Sequence, residues 1–113
     1  MLNRIWRTLT AEASEAPRQT ITDWPFEDSP QVAVFTSRQV LEGAAILRVT
    51  HDEDDGAWQF HTGTMADDSD GRLVALKTIV ARDASVTELA DLPEGWVATR
   101  EKPGDAWRRS RAV

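Results

Sequence analysis

Apolar and polar positions change their spacing several times along the chain, and each change marks an element. The run Val32-Ala33-Val34-Phe35-Thr36 is short, apolar and β-branched and predicts a buried strand. Ser37 to Glu42 suits one or two helical turns, with Thr36 or Ser37 to cap them and Gly43 to stop them. Ala45 to His51 predicts a second strand, and Ala57 to Thr62 a third whose alternation sets Trp58 and Phe60 on one face. Between them Asp55-Gly56 is a hairpin dipeptide, because glycine accepts the positive φ of a tight turn. Leu73 to Ala81 reads two ways: Leu73, Leu76, Ile79 and Val80 fit helical spacing, while Leu73-Val74-Ala75-Leu76 fits a strand entering a helix. Ser85-Val86-Thr87-Glu88 has the capping-box pattern and predicts a short helix to Asp91, ended by Pro93 and Gly95. Trp96 to Arg100 predicts a last strand, with Trp96 and Ala98 on one face and Val97 and Thr99 on the other.

Toward the start, Ile5, Trp6 and Leu9 can share a helical face before the chain turns polar. Residues 1–22 read as an N-terminal arm with a short helix, 23–107 as a single domain and 108–113 as a flexible tail. Trp24-Pro25-Phe26 and Pro30 force an extended path, which the aromatic rings pin to the core. The predicted fold class is α+β: a small, mainly antiparallel sheet from 32–36, 45–51, 57–62 and 96–101, with two or three short helices on one side.

Composition narrows the function classes. The chain of 113 residues has room for one core. It holds no cysteine, so disulfides and thiolate metal sites are excluded. No apolar run reaches the roughly 20 residues of a membrane span and the N-terminus is not a secretory signal, so a cytoplasmic protein without a membrane partner is expected. A net charge of −6 disfavours nucleic acid, which needs a basic footprint. The charge is local. Of 19 acidic residues, seven (Asp52, Glu53, Asp54, Asp55, Asp67, Asp68 and Asp70) fall in a stretch without Lys or Arg, leaving 12 acids against 13 bases elsewhere. These seven are the candidate partner-binding residues.

Neither acidic turn is an EF-hand. Counting from Asp52 puts Gly56 and Gly63 where the fifth and twelfth ligands belong, and counting from Asp68 puts Arg72 and Ile79 there. His51 and His61 flank the predicted hairpin, where with Asp52 they could gather around zinc or another cation. Ordinary cross-strand neighbours are the simpler expectation for two histidines without a third ligand at a telling spacing. There is no Gly-x-Ser-x-Gly elbow and no Gly-rich phosphate loop, so no catalytic residue, cofactor or metal site is assigned and a non-enzymatic protein is expected. Five tryptophans are many for this length; Trp24, Trp58 and Trp96 read as core or core rim, and Trp6 and Trp107 as clamps or contacts.

The stretch Asp54-Asp55-Gly56-Ala57-Trp58-Gln59-Phe60-His61-Thr62-Gly63, followed by Asp67-Asp68, Val74-Ala75-Leu76, Ile79-Val80, Asp83-Ala84-Ser85 and Leu92-Pro93-Glu94-Gly95-Trp96, resembles a family of small bacterial domains of unknown function. That family is grouped with the immunity proteins predicted from polymorphic-toxin gene clusters. Its Gly-x-Trp-x-Phe strand and Leu-Pro-x-Gly turn are matched over about residues 30 to 107, and no catalytic residue carries over. The resemblance implies a binding protein that neutralises a partner, and the acidic stretch implies that the partner is basic. Two alternatives stand beside it. One is a small-ligand or metal-binding domain, with or without enzymatic activity. The other is self-association through an exposed sheet edge.

Overall fold

The computed structural model describes residues 24–64 and 68–112. The expected N-terminal arm, with Ile5, Trp6 and Leu9, and the acidic residue Asp67 lie outside the described residues. Six strands form one sheet: β1 Ala33–Ser37, β2 Arg48–His51, β3 Trp58–His61, β4 Gly71–Ala75, β5 Trp96–Thr99 and β6 Arg108–Arg111. Their order across the sheet is β4-β1-β3-β2-β5-β6. Among the described residues, the β1–β3 pair is parallel and the other pairings are antiparallel. The helices are α1 Arg38–Leu41, α2 Leu76–Arg82 and two 3-10 segments, Asp68–Asp70 and Ala84–Leu89. The fold is α+β.

Strand alternation gives the sheet two unlike faces. Val34, Val49, Phe60 and Ala98 point to one face and are fully buried under Val40 of α1, Leu76 and Ile79 of α2, and Val86 and Leu89 of the 3-10 segment. α1, α2 and the Ala84–Leu89 segment therefore cover one side, as the apolar pattern predicts. The register places Leu73, Phe35, Gln59, Thr50 and Val97 in one row across the other face. No helix among the described residues covers that row at its β4 and β1 end, where Leu73 is 63% and Phe35 44% exposed.

An aromatic ladder closes the core at the hairpin end. Phe26 meets Trp58 edge to face at 5.4 Å, Trp24 packs on Phe26 at 5.5 Å, and His51 stacks on Trp58 at 3.9 Å. Asp28 fixes the segment with both its ends. Its carboxylate accepts from Trp58 Nε1 at 2.8 Å, and its carbonyl accepts from Trp24 Nε1 at 2.7 Å.

One open reading is decided and three local expectations change. Leu73 to Ala81 is strand and then helix, because β4 pairs with β1 through Ala75 before Leu76 and Ile79 turn inward. Ser85 is not the cap of its helix. Asp83 is, accepting from the Ser85 amide at 3.0 Å and the Ser85 hydroxyl at 2.6 Å. The segment is 3-10, and the expected box between Ser85 and Glu88 does not form. The tail expected to be flexible over 108–113 instead supplies β6, paired with β5 from Thr99↔Arg108 to Trp96↔Arg111. Its Arg-Arg-Ser-Arg sequence hides an edge strand from an apolar-pattern reading, and arginines suit such an edge because they oppose pairing with another chain.

Candidate functional site

The β2–β3 hairpin forms as expected, with a longer loop. Asp52 N donates to Ala57 O at 2.8 Å and Gly56 N to Asp52 O at 3.0 Å, so four residues, 53–56, make the turn. Gly56 has φ +72°, the left-handed conformation that favours glycine. Asp55 steadies the exit by accepting from Ala57 N at 2.9 Å. The neighbouring Leu92–Gly95 turn locks against this loop: Gly95 N donates to His51 O at 2.6 Å. Each turn lays a glutamate over the other's glycine. A methyl group on Gly56 would stand 2.9 Å from Glu94 Oε2, and one on Gly95 3.2 Å from Glu53 Oε1.

This end of the sheet therefore presents Glu53, Asp54, Asp55 and Glu94, all exposed, on a braced backbone. Among the described residues, none of the four lies within ion-pair distance of a base; the acids that are paired are Glu42, Asp70, Asp83, Asp91 and Glu101. Glu94 was not among the acids singled out from the sequence, because Leu-Pro-Glu-Gly reads as a structural turn. The signal was there in kind, since both turns pair an acid with a positive-φ glycine.

The seven acids of the sequence do not share one surface. Asp52 turns onto the open face of the sheet and accepts from Gln59 Nε2 at 2.8 Å. Asp68 and Asp70 precede Gly71, which pairs with Ser37 at the opposite end of the sheet. The four residues of β3, at about 3.3 Å each, set that end more than about 10 Å from the hairpin. Asp70 is also occupied: Gln39 Nε2 donates to it at 2.9 Å and Arg38 Nε at 3.2 Å. The Gln39 bond, helped by Arg38 against some desolvation, holds its carboxyl below the ordinary 3.8.

His51 and His61 are not cross-strand partners. The register pairs His51 with Trp58 and Arg48 with His61, and the three-residue step puts the two imidazoles on opposite faces. His51 lies on the core side, its Nδ1–H donating to Leu92 O at 2.8 Å. His61 lies on the open face with Asp52, so the gathering of both histidines and Asp52 around one cation does not form. Among the described residues, no group of three or more acids and histidines could hold a metal ion.

On the open face Asp52, Gln59 and His61 make a chain of hydrogen bonds. Gln59 Nε2 donates to Asp52, and Gln59 Oε1 accepts from His61 Nε2 at 2.9 Å. Burial, with Arg48 across the strand pair, holds the His61 imidazole below its ordinary 6.5 against the pull of Asp52. Gln59 and His61 form part of a groove of about 600 Å³, lined also by Phe35, Ser37, Arg48, Gly63, Thr64 and Asp68. No described helix is long and apolar enough to cross a membrane. No family model, curated protein or solved structure matches the chain.

Proposed function

We propose that the protein is a non-enzymatic, cytoplasmic binding protein that neutralises a basic protein partner, as an immunity protein does, through the acidic end of its sheet. The observation that carries this reading is the cluster of Glu53, Asp54, Asp55 and Glu94, exposed and without a basic partner among the described residues. The two interlocked turns support it further. Their backbone is already hydrogen-bonded, so docking would spend little free energy on ordering the loops. Clustered rim charges chiefly raise the association rate and select against partners of like charge.

The experiment is affinity capture from the native host's lysate at low and high salt, with the wild type beside a Glu53→Gln, Asp54→Asn, Asp55→Asn, Glu94→Gln variant. Asn at 55 keeps an acceptor for Ala57 N. The expected result is a basic protein retained by the wild type, lost at high salt and lost by the variant. Its association should slow by about tenfold in the variant at low ionic strength, where screening is weakest. Equal capture by both proteins would overturn the reading.

A further inference from the structure

The groove on the open face lies outside the acidic-end reading, and its chemistry points to a different occupant. Arg48 is exposed on β2, forms no ion pair among the described residues and is the one Lys or Arg among the described residues lining the groove. It pairs directly with His61 across β2–β3. Phe35, in the next row of the same face, leaves 44% of its surface exposed.

The hydrogen-bond chain gives His61 a defined polarity. Asp52, an acceptor, orients the Gln59 amide so that its oxygen faces His61, and His61 must then carry its proton on Nε2. Nδ1 is left as an acceptor with no partner among the described residues. Burial and Arg48 outweigh Asp52 and lower the ring's pKa from its ordinary 6.5, which favours the neutral form that offers this acceptor. Asp68, at the other side of the groove, disfavours a second negative charge.

We propose that this groove binds a small organic monocarboxylate with an aromatic or similarly flat apolar body. Arg48 holds the carboxylate by charge-assisted hydrogen bonds, Phe35 supplies the apolar wall, and His61 Nδ1 accepts from a hydroxyl or amide donor. The volume suits such a ligand, since sites for small molecules run from roughly 300 to 1,000 Å³.

The test uses 4-hydroxyphenylacetate, which has the carboxylate, ring and hydroxyl donor in one molecule. It is titrated to about 10 mM into ¹⁵N-labelled full-length protein, a range that detects millimolar dissociation constants. Saturable amide shifts are expected at Phe35, Gln59, His61, Gly63 and Thr64, with tyramine, its cationic counterpart, producing none. Arg48→Met should weaken binding about tenfold or more and Arg48→Lys should restore part of it, as a charge-assisted contact requires. Unchanged melting temperatures in both variants would show that the fold is kept, as expected for an exposed residue. The absence of saturable shifts, equal binding of tyramine, or wild-type affinity in Arg48→Met would each overturn the proposal. The hairpin variant should bind the probe as the wild type does, so failure of this site and of the acidic-end reading can be told apart.

Discussion

Replacing Arg100 with methionine removes a buried tie between three segments that are distant in sequence. The Arg100 side chain is 2% exposed. Its Nε and Nη2 donate to Ile46 O at 3.1 and 3.0 Å, Nη1 to Ser85 Oγ at 3.0 Å, and Nη2 to Asp83 Oδ2 at 2.7 Å. Its Cζ stands 4.0 Å over the Trp107 ring. Methionine keeps much of the apolar stem but supplies no donor. The Ile46 carbonyl would lose both guanidinium bonds, a penalty of about 1–3 kcal/mol for a buried acceptor. Asp83 would keep its bonds from Ser85 and, at 25% exposed, recover part of its loss from water, so about 1 kcal/mol is assigned there. The stacked cation adds about 1 kcal/mol. Together these give about 4 kcal/mol, which in a domain of this size lowers the melting temperature by roughly 15 °C or more. Urea denaturation and calorimetry of Arg100→Met and Arg100→Lys measure it. Lysine, with one ammonium in place of the planar fork, should recover part of the loss. A loss below about 1 kcal/mol for methionine would refute the assignment of Arg100 as the tie.

Two further predictions follow from single contacts. Asp28→Ala should cost about 1–3 kcal/mol, because it strips the acceptor from Trp58 Nε1 in a residue only 3% exposed; urea midpoints read it, with wild-type stability as the contrary result. Asp83 and His61 should both make stability fall with acid. Burial alone would raise Asp83, but the Ser85 hydroxyl and amide and Arg100 overcome it and hold the folded carboxyl below 3.8; its contribution is complete above that value and lost as pH falls through the folded one. Burial lowers His61 below 6.5, so the unfolded chain takes up its proton first, and stability falls as pH drops below 6.5 toward the folded value. In His61→Gln the slope of stability between roughly pH 7 and 5 should flatten, and an unchanged slope would remove His61 as its source.

The elements legible in the sequence are those whose burial is written in apolar alternation. Trp58, Phe60 and Ala98 point inward as that alternation requires, and Trp24-Pro25-Phe26 packs on the core as its aromatics imply. The strand expected to be buried over 32–36, by contrast, is buried only at Val34 and Thr36 and exposes Val32, Ala33 and Phe35, because it has helices on one face alone. The two edge strands lack that signal. β4 is exposed at Gly71, Arg72 and Leu73, and β6 along its whole length, so neither repeats an apolar face; both exist because their backbones complete a sheet whose centre is well specified. Arg100 was legible only as the end of a strand. Its role depends on Ile46 and Asp83, 54 and 17 positions away, and no local pattern encodes such a meeting. The separation of His51 from His61 was hidden for a similar reason. Loop length sets the register, and a four-residue turn pairs His51 with Trp58 and Arg48 with His61.

The acidic stretch shows the same lesson at the level of function. Seven acids within twenty positions look like one patch in a linear reading, yet a hairpin and a returning strand carry the described ones to opposite ends of the sheet. Asp70 spends its charge inside the molecule on Arg38 and Gln39, whereas Glu94, outside the stretch, joins the hairpin tip. Spatial grouping therefore makes a prediction that sequence grouping does not. Asp70→Asn should leave the association rate of a basic partner as it is in the wild type, while Glu94→Gln should slow it, because steering by exposed charge acts within about one Debye length of the contact, roughly 8–10 Å. Stopped-flow or interferometric rates at low ionic strength decide between them. Equal slowing by both substitutions would mean that the partner senses total charge, and the hairpin end would lose its claim to be the docking surface.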